Sequence, residues 1–351
     1  MKSTELIRSI LIVTILFFTS CQEKNNSNKS LKQNAGISEF LGQWTMDIKG
    51  GGVGWLEVRK EETYLDGSLL WIGGSVSPVS YIYLAGDVLY VGRDTRKVVR
   101  TKDAEGIETR SNMISTWLEV KKEGDKIAGY YLRPKSDGIG LDSTSFTGKK
   151  LPDVTVAPDL KTLKFDKPIV LFNGKDISGW KLVEEKKTNG WSVIDGALVN
   201  NAVHKEGEAT VVQYGNLRTV QEFEDFNLKL EVNVPEHSNS GIYLRGRYEV
   251  QVVDSYGIKP DNHNMGALYS RIVPSVSAEK PAGTWQSFDI TLWERHLTVI
   301  LNGTTIIDNQ PVYGPTGGAL TSDVFAPGPI YLQGDHGVVS FRNIILTPIL
   351  K

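Results

Sequence analysis

Short runs of alternating apolar and polar residues, separated by turn residues, are the feature of this 351-residue chain that most limits its fold. Runs such as GWLEVRK, SYIYL and LTVILNG are bounded by Gly, Asn or Asp. No long stretch shows the 3.6-residue apolar period of an amphipathic helix. Alternation with a period of two is typical of strands, and many short strands between such turns favour a sandwich or barrel. The sequence therefore predicts an all-β protein.

The length of the chain and the position of two prolines predict two domains. Residues 38–150 contain the first set of β-runs and predict a small antiparallel barrel or sandwich. Pro152 and Pro158 mark residues 151–166 as a linker, because proline cannot donate to a sheet ladder. Residues 167–351 have a length that suits a two-sheet jelly roll.

The N-terminus has the order of a signal peptide over residues 1–20: a short basic region, an apolar stretch and small residues before Cys21. The run Phe-Thr-Ser-Cys resembles a bacterial lipobox, which implies that Cys21 becomes a lipidated first residue and that residues 21–37 include a flexible tether. Two acyl chains, palmitate for example, give stable anchoring. The resemblance implies export and a membrane partner, with the outer membrane favoured because Gln22 is not an inner-membrane retention signal.

Charge and cysteine content narrow the partners and the redox chemistry. The formal net charge is −2, and no basic stripe is present, so a nucleic-acid partner is not expected. A single cysteine excludes an intramolecular disulfide. Cys21 is therefore interpreted as an attachment point rather than a redox centre.

Residues 241–254 are interpreted as one strand with a core face and a polar face. Successive side chains of a strand point to opposite faces. One face would carry the apolar side chains, and the other would carry Tyr243, Arg245, Arg247, Glu249 and Gln251. This pattern predicts a ligand groove on the second face; an ordinary solvated face is the alternative. Asp254 would join that face only through a one-residue bulge.

Two histidines in polar loops are further candidates. His336 beside Asp335 is a candidate acid–base residue because the unperturbed pKa of histidine is near 6.5; a surface turn is the alternative. His263 is assigned to the rim of the groove, and Gln333 and Asp335 are assigned to substrate binding. The histidine spacing matches no common metal motif. A divalent ion held by Glu249, Asp254 and His336 is left open, and no other cofactor is expected.

Several stretches of the second half together resemble a known family. They include LFNGKDISGWKL, WSVIDGALV, LTVILNGTTIIDN, PTGGAL and GPIYLQGDHGVVSFRNIIL. Their order and wording resemble the 3-keto-disaccharide hydrolase family, formerly a domain of unknown function, over residues 167–349. The resemblance implies a concanavalin-A-like jelly roll and an oligosaccharide or 3-keto-glycoside as partner. The front half more weakly resembles a module often found ahead of that domain.

The resemblance also implies a reaction on a sugar already oxidised at C3. A base, His336 or Glu249, would remove the C2 proton, a cation such as Arg245 or a metal ion would hold the enolate, and an acid, Glu249 or Asp254, would protonate the departing C1 oxygen. Tyr243, Arg247, Gln251, His263, Gln333 and Asp335 would bind the substrate.

Two other functions are weighed against this one. Residues 249–254 resemble the E-x-D-x-x-E strand of jelly-roll glucanases, but Gln251 replaces the middle acid. Ordinary retaining hydrolysis needs two carboxyl groups about 5–5.5 Å apart, so this replacement disfavours a simple glucanase. A non-catalytic, lectin-like surface lipoprotein is the main alternative, because a fold does not fix a function.

Overall fold

The computed structural model describes residues 36–202 and 212–351. Nearly all regular structure there is β-strand, and helical geometry is confined to residues 36–38 and a 3₁₀ turn, Leu160–Thr162, which confirms the all-β prediction. Within these two ranges, no helix has the length and apolar character needed to cross a membrane. The predicted signal peptide, Cys21 and most of the tether lie outside the described residues.

The chain divides into two compact units, and neither is one continuous stretch. The first unit comprises the described part of Met1–Gly42, together with Glu57–Gly67 and Val79–Ser145. The second comprises Gln43–Leu56, Ser68–Pro78 and Phe146–Lys351. Three stretches of the predicted front domain, residues 43–56, 68–78 and 146–150, therefore belong to the same unit as the predicted jelly roll.

Nine antiparallel strands precede the 3₁₀ turn. They are β1 (Gly42–Ile48), β2 (Val53–Lys60), β3 (Leu65–Trp71), β4 (Gly73–Pro78), β5 (Tyr81–Ala85), β6 (Val88–Lys102), β7 (Glu108–Glu123), β8 (Lys126–Pro134) and β9 (Leu141–Leu151). In the first unit, β5, β6, β7 and β8 pair in chain order. In the second unit, β1 pairs with the end of β9, and β3 pairs with β4.

The remaining strands of the second unit form two antiparallel sheets. They are β10 (Ile169–Val170), β11 (Trp180–Leu182), β12 (Trp191–Ile194), β13 (Ala197–Asn201), β14 (Leu217–Thr219), β15 (Phe226–Asn233), β16 (Asn239–Leu244), β17 (Tyr248–Val253), β18 (Gln286–Trp293), β19 (His296–Leu301), β20 (Thr304–Pro311), β21 (Tyr331–Leu332) and β22 (Val338–Pro348). One sheet has the order β12-β13-β22-β15-β18-β19-β20, with β10 beside β22, and the other has the order β11-β14-β21-β16-β17. This is the two-sheet arrangement that the sequence predicts.

The core of the second unit lies where apolar side chains of both sheets meet. In β15, Phe226, Leu228 and Leu230 are buried, whereas Lys229 between them is exposed. This two-residue alternation buries every second side chain, and each such burial stabilises the fold by roughly 1.5–3 kcal/mol. The sheet with the shorter strands, β11-β14-β21-β16-β17, is the one that positions the candidate site.

Two hairpin turns show where the sequence reasoning succeeded and where it was wrong. Asn302 (φ 51°) and Gly303 (φ 82°) connect β19 to β20, as the Asn-Gly pair at the end of the run LTVILNG indicates for a tight hairpin turn. Arg245 (φ 53°) and Gly246 (φ 63°) make a similar turn between β16 and β17. Residues 241–254 are therefore a hairpin and not one strand. The physical reason is that Gly246 readily adopts positive φ and allows the chain to reverse.

Candidate functional site

A row of three aromatic and acidic side chains crosses strands β21, β16 and β17. The strand register places Tyr243 opposite Tyr331 on one side and opposite Glu249 on the other. The two tyrosine rings stack, with centroids 4.1 Å apart and planes 12° apart. Tyr243 and Glu249 are both buried. The hairpin turn therefore replaces the predicted single strand, but it keeps Tyr243 and Glu249 on one face.

The hydroxyl of Tyr243 connects Glu249 to a loop. It lies 2.9 Å from Glu249 Oε2 and 2.9 Å from the carbonyl oxygen of Gly317. A phenol has one proton, so it donates to one of these acceptors at a time. When Tyr243 donates to Gly317, a protonated Glu249 can donate to the Tyr243 oxygen. This geometry gives the carboxyl a hydrogen-bond partner in both of its protonation states.

A glycine leaves the space that the Glu249 carboxyl occupies. A Cβ atom on Gly241 would lie 2.3 Å from Glu249 Oε1, which is closer than real contacts allow. Gly241 pairs with Gln251 in β17, and its carbonyl oxygen accepts a hydrogen bond of 3.0 Å from the Gln333 N–H. Gln333, just after β21, therefore lies side by side with Gly241 of β16 and Gln251 of β17, next to Tyr331, Tyr243 and Glu249. Because Gly241 has no side chain, the space at the middle of these three positions is free for the Glu249 carboxyl.

Burial raises the pKa of Glu249 to about 8, although the hydrogen bond from Tyr243 acts in the opposite direction. A carboxyl group with this pKa is largely protonated at neutral pH and can donate or accept a proton there. Burial likewise raises the pKa of Tyr243 and of Tyr331 well above 10, so both remain phenols.

His336 and Asp335 form a second titratable pair in the same cavity. His336 Nδ1 lies 2.6 Å from Asp335 Oδ1. That hydrogen bond raises the pKa of His336 above its ordinary value, against the effect of burial. Burial acts to raise the pKa of Asp335, but the hydrogen bond and charge of His336 outweigh it, so the pKa is lowered. With Nδ1 bound to the carboxylate, Nε2 is the ring nitrogen that can exchange a proton with a ligand.

These groups line a cavity of about 310 Å³, which is near the small end of ligand pockets. Six of the ten predicted catalytic and substrate-binding residues line it: Tyr243, Glu249, Gln251, Gln333, Asp335 and His336. The structure therefore brings together most of the predicted groove. It also places Asp335 and His336, which are distant in sequence from residues 243–251, in the same cavity.

The two predicted arginines do not line this cavity. Arg245 donates to the carbonyl oxygens of Val324 and Ala326, at 2.9 Å and 2.6 Å from Nη2. Arg247 donates to the carbonyl oxygens of Ala326 and Pro327. Arg245 and Arg247 lie in the turn between β16 and β17, so the alternation of side chains along a single strand does not apply to them. Arg245 is therefore not positioned to hold an enolate in the cavity, nor Arg247 to bind the substrate there.

Asp254 and His263 also lie outside the cavity lining. The β16–β17 register continues without a bulge to Val253, so the expected return of Asp254 to the groove face does not occur. Asp254 Oδ2 instead accepts a hydrogen bond from the backbone N–H of His237, at 3.1 Å. His263 Nδ1 contacts Asp261, and its ring packs edge-on against Tyr269, which does line the cavity.

The metal site left open by the sequence is not assembled by these residues. Across residues 36–202 and 212–351, no group of three or more His, Cys, Asp or Glu side chains is arranged to hold a metal ion. Glu249 and His336 share the cavity, but Asp254 does not line it. The proposed trio therefore lacks its third member at the site.

Sequence reasoning missed several lining residues, one of which carried a usable signal. Tyr331 alternates with Gln333 and Asp335, so all three share one parity. Once Gln333 and Asp335 were assigned to the groove, the same rule would have added Tyr331. The other missed side chains lie on separate loops or strands and offered no comparable pattern: Glu184, Asn216, Asn239, Tyr269 and Leu320.

Comparison with known proteins identifies the family. The model of the 3-keto-alpha-glucoside-1,2-lyase-like domain matches residues 167–347, which is about half of the chain. The chain belongs to this family. All six predicted site residues that line the cavity, from Tyr243 to His336, lie within this lyase-like domain.

Individual relatives share a third or less of their aligned residues with the chain. A protein from Bacteroides thetaiotaomicron named 3-keto-disaccharide hydrolase is 25% identical over an alignment of 153 residues, and the match covers 36% of this chain. The chain spans about half, 52%, of the length of that relative. Two crystal structures of candidate glycosyl hydrolases from Parabacteroides distasonis are similar. One is 33% identical, covering 51% of this chain and 82% of its own, with a TM-score of 0.42; the other is 23% identical, covering 51% and 92%, with a TM-score of 0.43.

Proposed function

We propose that this protein cleaves 3-keto-glycosides or 3-keto-disaccharides by removal of the C2 proton and elimination of the C1 oxygen. The observation that carries the proposal is a buried carboxyl, Glu249, with a pKa of about 8 in one cavity with the His336–Asp335 pair. Membership of the lyase-like family and the name of the Bacteroides relative support the same substrate class.

The proposed reaction uses the two groups in opposite roles. Neutral His336 accepts the C2 proton, and the electron pair of that C–H bond forms the enolate with the C3 ketone. The enolate then re-forms the ketone as the C1–C2 double bond forms and the C1–O bond breaks. The departing oxygen takes the proton of Glu249. Water adds across the C1–C2 double bond of the resulting enone and completes net hydrolysis.

The acid role of Glu249 agrees with its protonation state near neutral pH, whereas the raised pKa of His336 means that its neutral, proton-accepting form increases only as the pH rises. Glu249 keeps its proton below about pH 8 and can therefore act as the acid. The Asp335 carboxylate stabilises the imidazolium that forms when His336 takes up the C2 proton. Activity is expected to follow a bell-shaped pH profile, rising as His336 loses its proton and falling as Glu249 loses its own.

Buried amide oxygens supply binding groups for sugar hydroxyls. Gln333 Oε1 and Asn239 Oδ1 are buried, and neither accepts a hydrogen bond from a protein group among the described residues. Both residues line the cavity. A buried acceptor without a partner costs about 1–3 kcal/mol, and a sugar hydroxyl would relieve that cost on binding.

The proposal is tested by incubating the purified protein with 3-keto-trehalose and following release of the second sugar. Glu249→Gln and His336→Ala are expected to lower kcat by about 10²–10⁴-fold each, the usual contribution of acid–base groups. Asp254→Asn is the matched control, because Asp254 lies outside the cavity, and it should keep wild-type activity. Equal activity in all four proteins would refute the assignment.

The same experiment separates catalysis from simple glycan binding. The unpaired oxygens of Gln333 and Asn239 would serve a lectin-like protein as well as an enzyme. Measured affinity for a 3-keto-disaccharide without any turnover would support the binding function and exclude the enzymatic one. Turnover that Glu249→Gln abolishes would exclude a purely binding role.

We also propose that the protein is exported and anchored to the bacterial cell envelope through lipidated Cys21, the outer membrane being favoured. The support is the order of residues 1–20 and the lipobox-like run before Cys21. Mass spectrometry of the mature protein from its host tests this. A diacylglyceryl group on an N-terminal Cys21 is the expected result, and an unmodified Cys21 behind an intact leader would refute it.

A further inference from the structure

A short segment outside the family-matched region forms part of the cavity. Residues 72–76, here called the wall segment, contain Gly73 and Gly74, and both glycines line the cavity. The segment belongs to the same compact unit as Glu249 and His336. The family model matches only residues 167–347. One side of the cavity is therefore built by residues that the lyase-like domain itself does not contain.

One end of the wall segment is held against the loop that carries Gly317. The backbone N–H of Gly318 donates to the Ile72 carbonyl oxygen, at 3.1 Å. Gly317 lies so close to the segment that a Cβ atom there would be 2.2 Å from the carbonyl oxygen of Gly74. Ile72 has a φ of 65°, which is unusual for a β-branched residue and is held only where the surroundings enforce it.

The other end of the wall segment is held by the loop around Tyr269. The backbone N–H of Val76 donates to Ser270 Oγ, at 3.0 Å. Ser75 Oγ lies 2.8 Å from His263 Nε2 and donates to the Tyr269 hydroxyl at 3.3 Å. With contacts at both ends, Gly73 and Gly74 are fixed in place beside the cavity.

The contacts of Gly317 indicate which part of a substrate would meet this wall. The Gly317 carbonyl accepts from Tyr243, and the Tyr243 hydroxyl contacts Glu249. The wall segment therefore adjoins the Glu249 side of the cavity through Gly74 and Gly317. In the proposed reaction Glu249 protonates the departing C1 oxygen, so the leaving group lies on that side.

We propose that Gly73 and Gly74 form the end wall of the leaving-group subsite and make the protein specific for short leaving groups, one sugar ring or smaller. This inference rests on the proposed function. The cavity of about 310 Å³ suits a substrate of one or two rings rather than the interior of a long glycan. The glycines set the depth of the subsite because they add no side chain to it.

Gly73 is the position at which this can be tested without straining the backbone. A Cβ atom at Gly73 meets no atom within 4 Å, and its φ is not in the left-handed region. Gly74 has the same open space but a φ of 72°, which any other residue would adopt at a cost. A large side chain at Gly73 should therefore reduce the subsite while leaving the fold intact.

The experiment compares Gly73→Trp with wild type on methyl 3-keto-glucoside, a 3-keto-disaccharide and a 3-keto-trisaccharide. Thr305→Trp, at an exposed position of β20, is the control for adding an indole ring. Wild type should prefer the disaccharide to the trisaccharide by at least ~10-fold in kcat/KM. Gly73→Trp should lose ~10-fold or more on the disaccharide and little on the methyl glucoside. Thr305→Trp should match wild type on all three.

Calorimetric affinities of the same ligands, measured in a Glu249→Gln background, keep this test separate from the proposed function. If wild type shows no turnover and Gly73→Trp loses affinity only for the disaccharide, the proposed reaction is wrong but the wall assignment is supported. If Gly73→Trp loses the same affinity for the methyl glucoside as for the disaccharide, or loses none for either, the wall assignment is wrong. Turnover by wild type in the same series would still uphold the reaction. Unchanged thermal unfolding of Gly73→Trp would confirm that its fold is intact.

Discussion

Replacing Glu249 by glutamine should make the stability of this protein less dependent on pH. The carboxyl is buried, and its pKa of about 8 in the folded protein compares with an ordinary value of 4.5. Between these values the folded state binds a proton that the unfolded state has released. Stability from this group is therefore complete below pH 4.5 and is lost as the pH rises through about 8.

The size of the effect follows from the two pKa values. One pKa unit corresponds to about 1.36 kcal/mol, so the full difference between 4.5 and about 8 corresponds to roughly 5 kcal/mol. Part of this loss has already occurred at pH 5, and relaxation of the site and entry of water reduce the rest, so we expect this group to cost wild type about 2–4 kcal/mol between pH 5 and pH 9. Glutamine is neutral throughout and imitates the protonated carboxyl in size, so Glu249→Gln lacks this loss.

The assay is urea unfolding followed by tryptophan fluorescence at intervals from pH 5 to pH 9. The quantity compared is the difference in unfolding free energy between Glu249→Gln and wild type, which cancels the many groups that both proteins share. His336 is the main exception, because Glu249 contributes to its raised pKa. The pair His336→Ala and His336→Ala/Glu249→Gln repeats the comparison without it.

The reasoning is refuted if the two stability curves run parallel from pH 5 to pH 9 in both backgrounds. That result would mean that Glu249 titrates near its ordinary value in the folded protein. An infrared titration gives an independent check, since the protonated carboxyl band of Glu249 should disappear near pH 8 and be missing from Glu249→Gln. Loss of that band near pH 4.5 would have the same meaning as parallel curves.

Three other substitutions probe the surroundings of this carboxyl. Gly241→Ala should displace the Glu249 carboxyl, because the new Cβ would meet that flexible side chain and not rigid backbone. The kcat should fall at least ~10-fold while thermal stability stays nearly unchanged, and a kcat equal to that of wild type would contradict this. Tyr243→Phe removes a hydrogen bond that lowers the pKa of Glu249, so the alkaline limb of the pH–rate profile should move to higher pH. Asp335→Asn removes the interaction that raises the pKa of His336, so the acid limb of the pH–rate profile should move to lower pH. An alkaline limb that stays in place in Tyr243→Phe would exclude Glu249 as its titrating group, and an acid limb that stays in place in Asp335→Asn would exclude His336.

The alternation of side chains along strands carried most of what could be predicted. It placed Tyr243, Glu249 and Gln251 on one face, and it holds across the β16–β17 hairpin because paired residues of neighbouring strands share a face. It failed for Arg245 and Arg247 because the chain reverses at Arg245-Gly246, and arginine is not a residue that marks such a turn.

Contacts between distant parts of the chain could not be read from the sequence. Gly73 and Gly74 enter the cavity from a strand more than a hundred residues before β16, and nothing in their local pattern points to Glu249. The open position at Gly241 was equally hidden, because a glycine in a strand has several physical explanations. Register, which pairs Gly241 with Gln251, decides between them.

The environment of Glu249 stabilises the neutral acid at the expense of the carboxylate. Gly241 leaves space for the carboxyl, the stacked Tyr243 and Tyr331 help to bury it, and one phenol serves as its hydrogen-bond partner. An enzyme that needs a proton donor near neutral pH gains from this arrangement, whereas the fold loses stability as the pH rises. Glu249→Gln should therefore be more stable than wild type at pH 9 and less active at every pH. A structural role for Glu249 alone would not produce these two effects together.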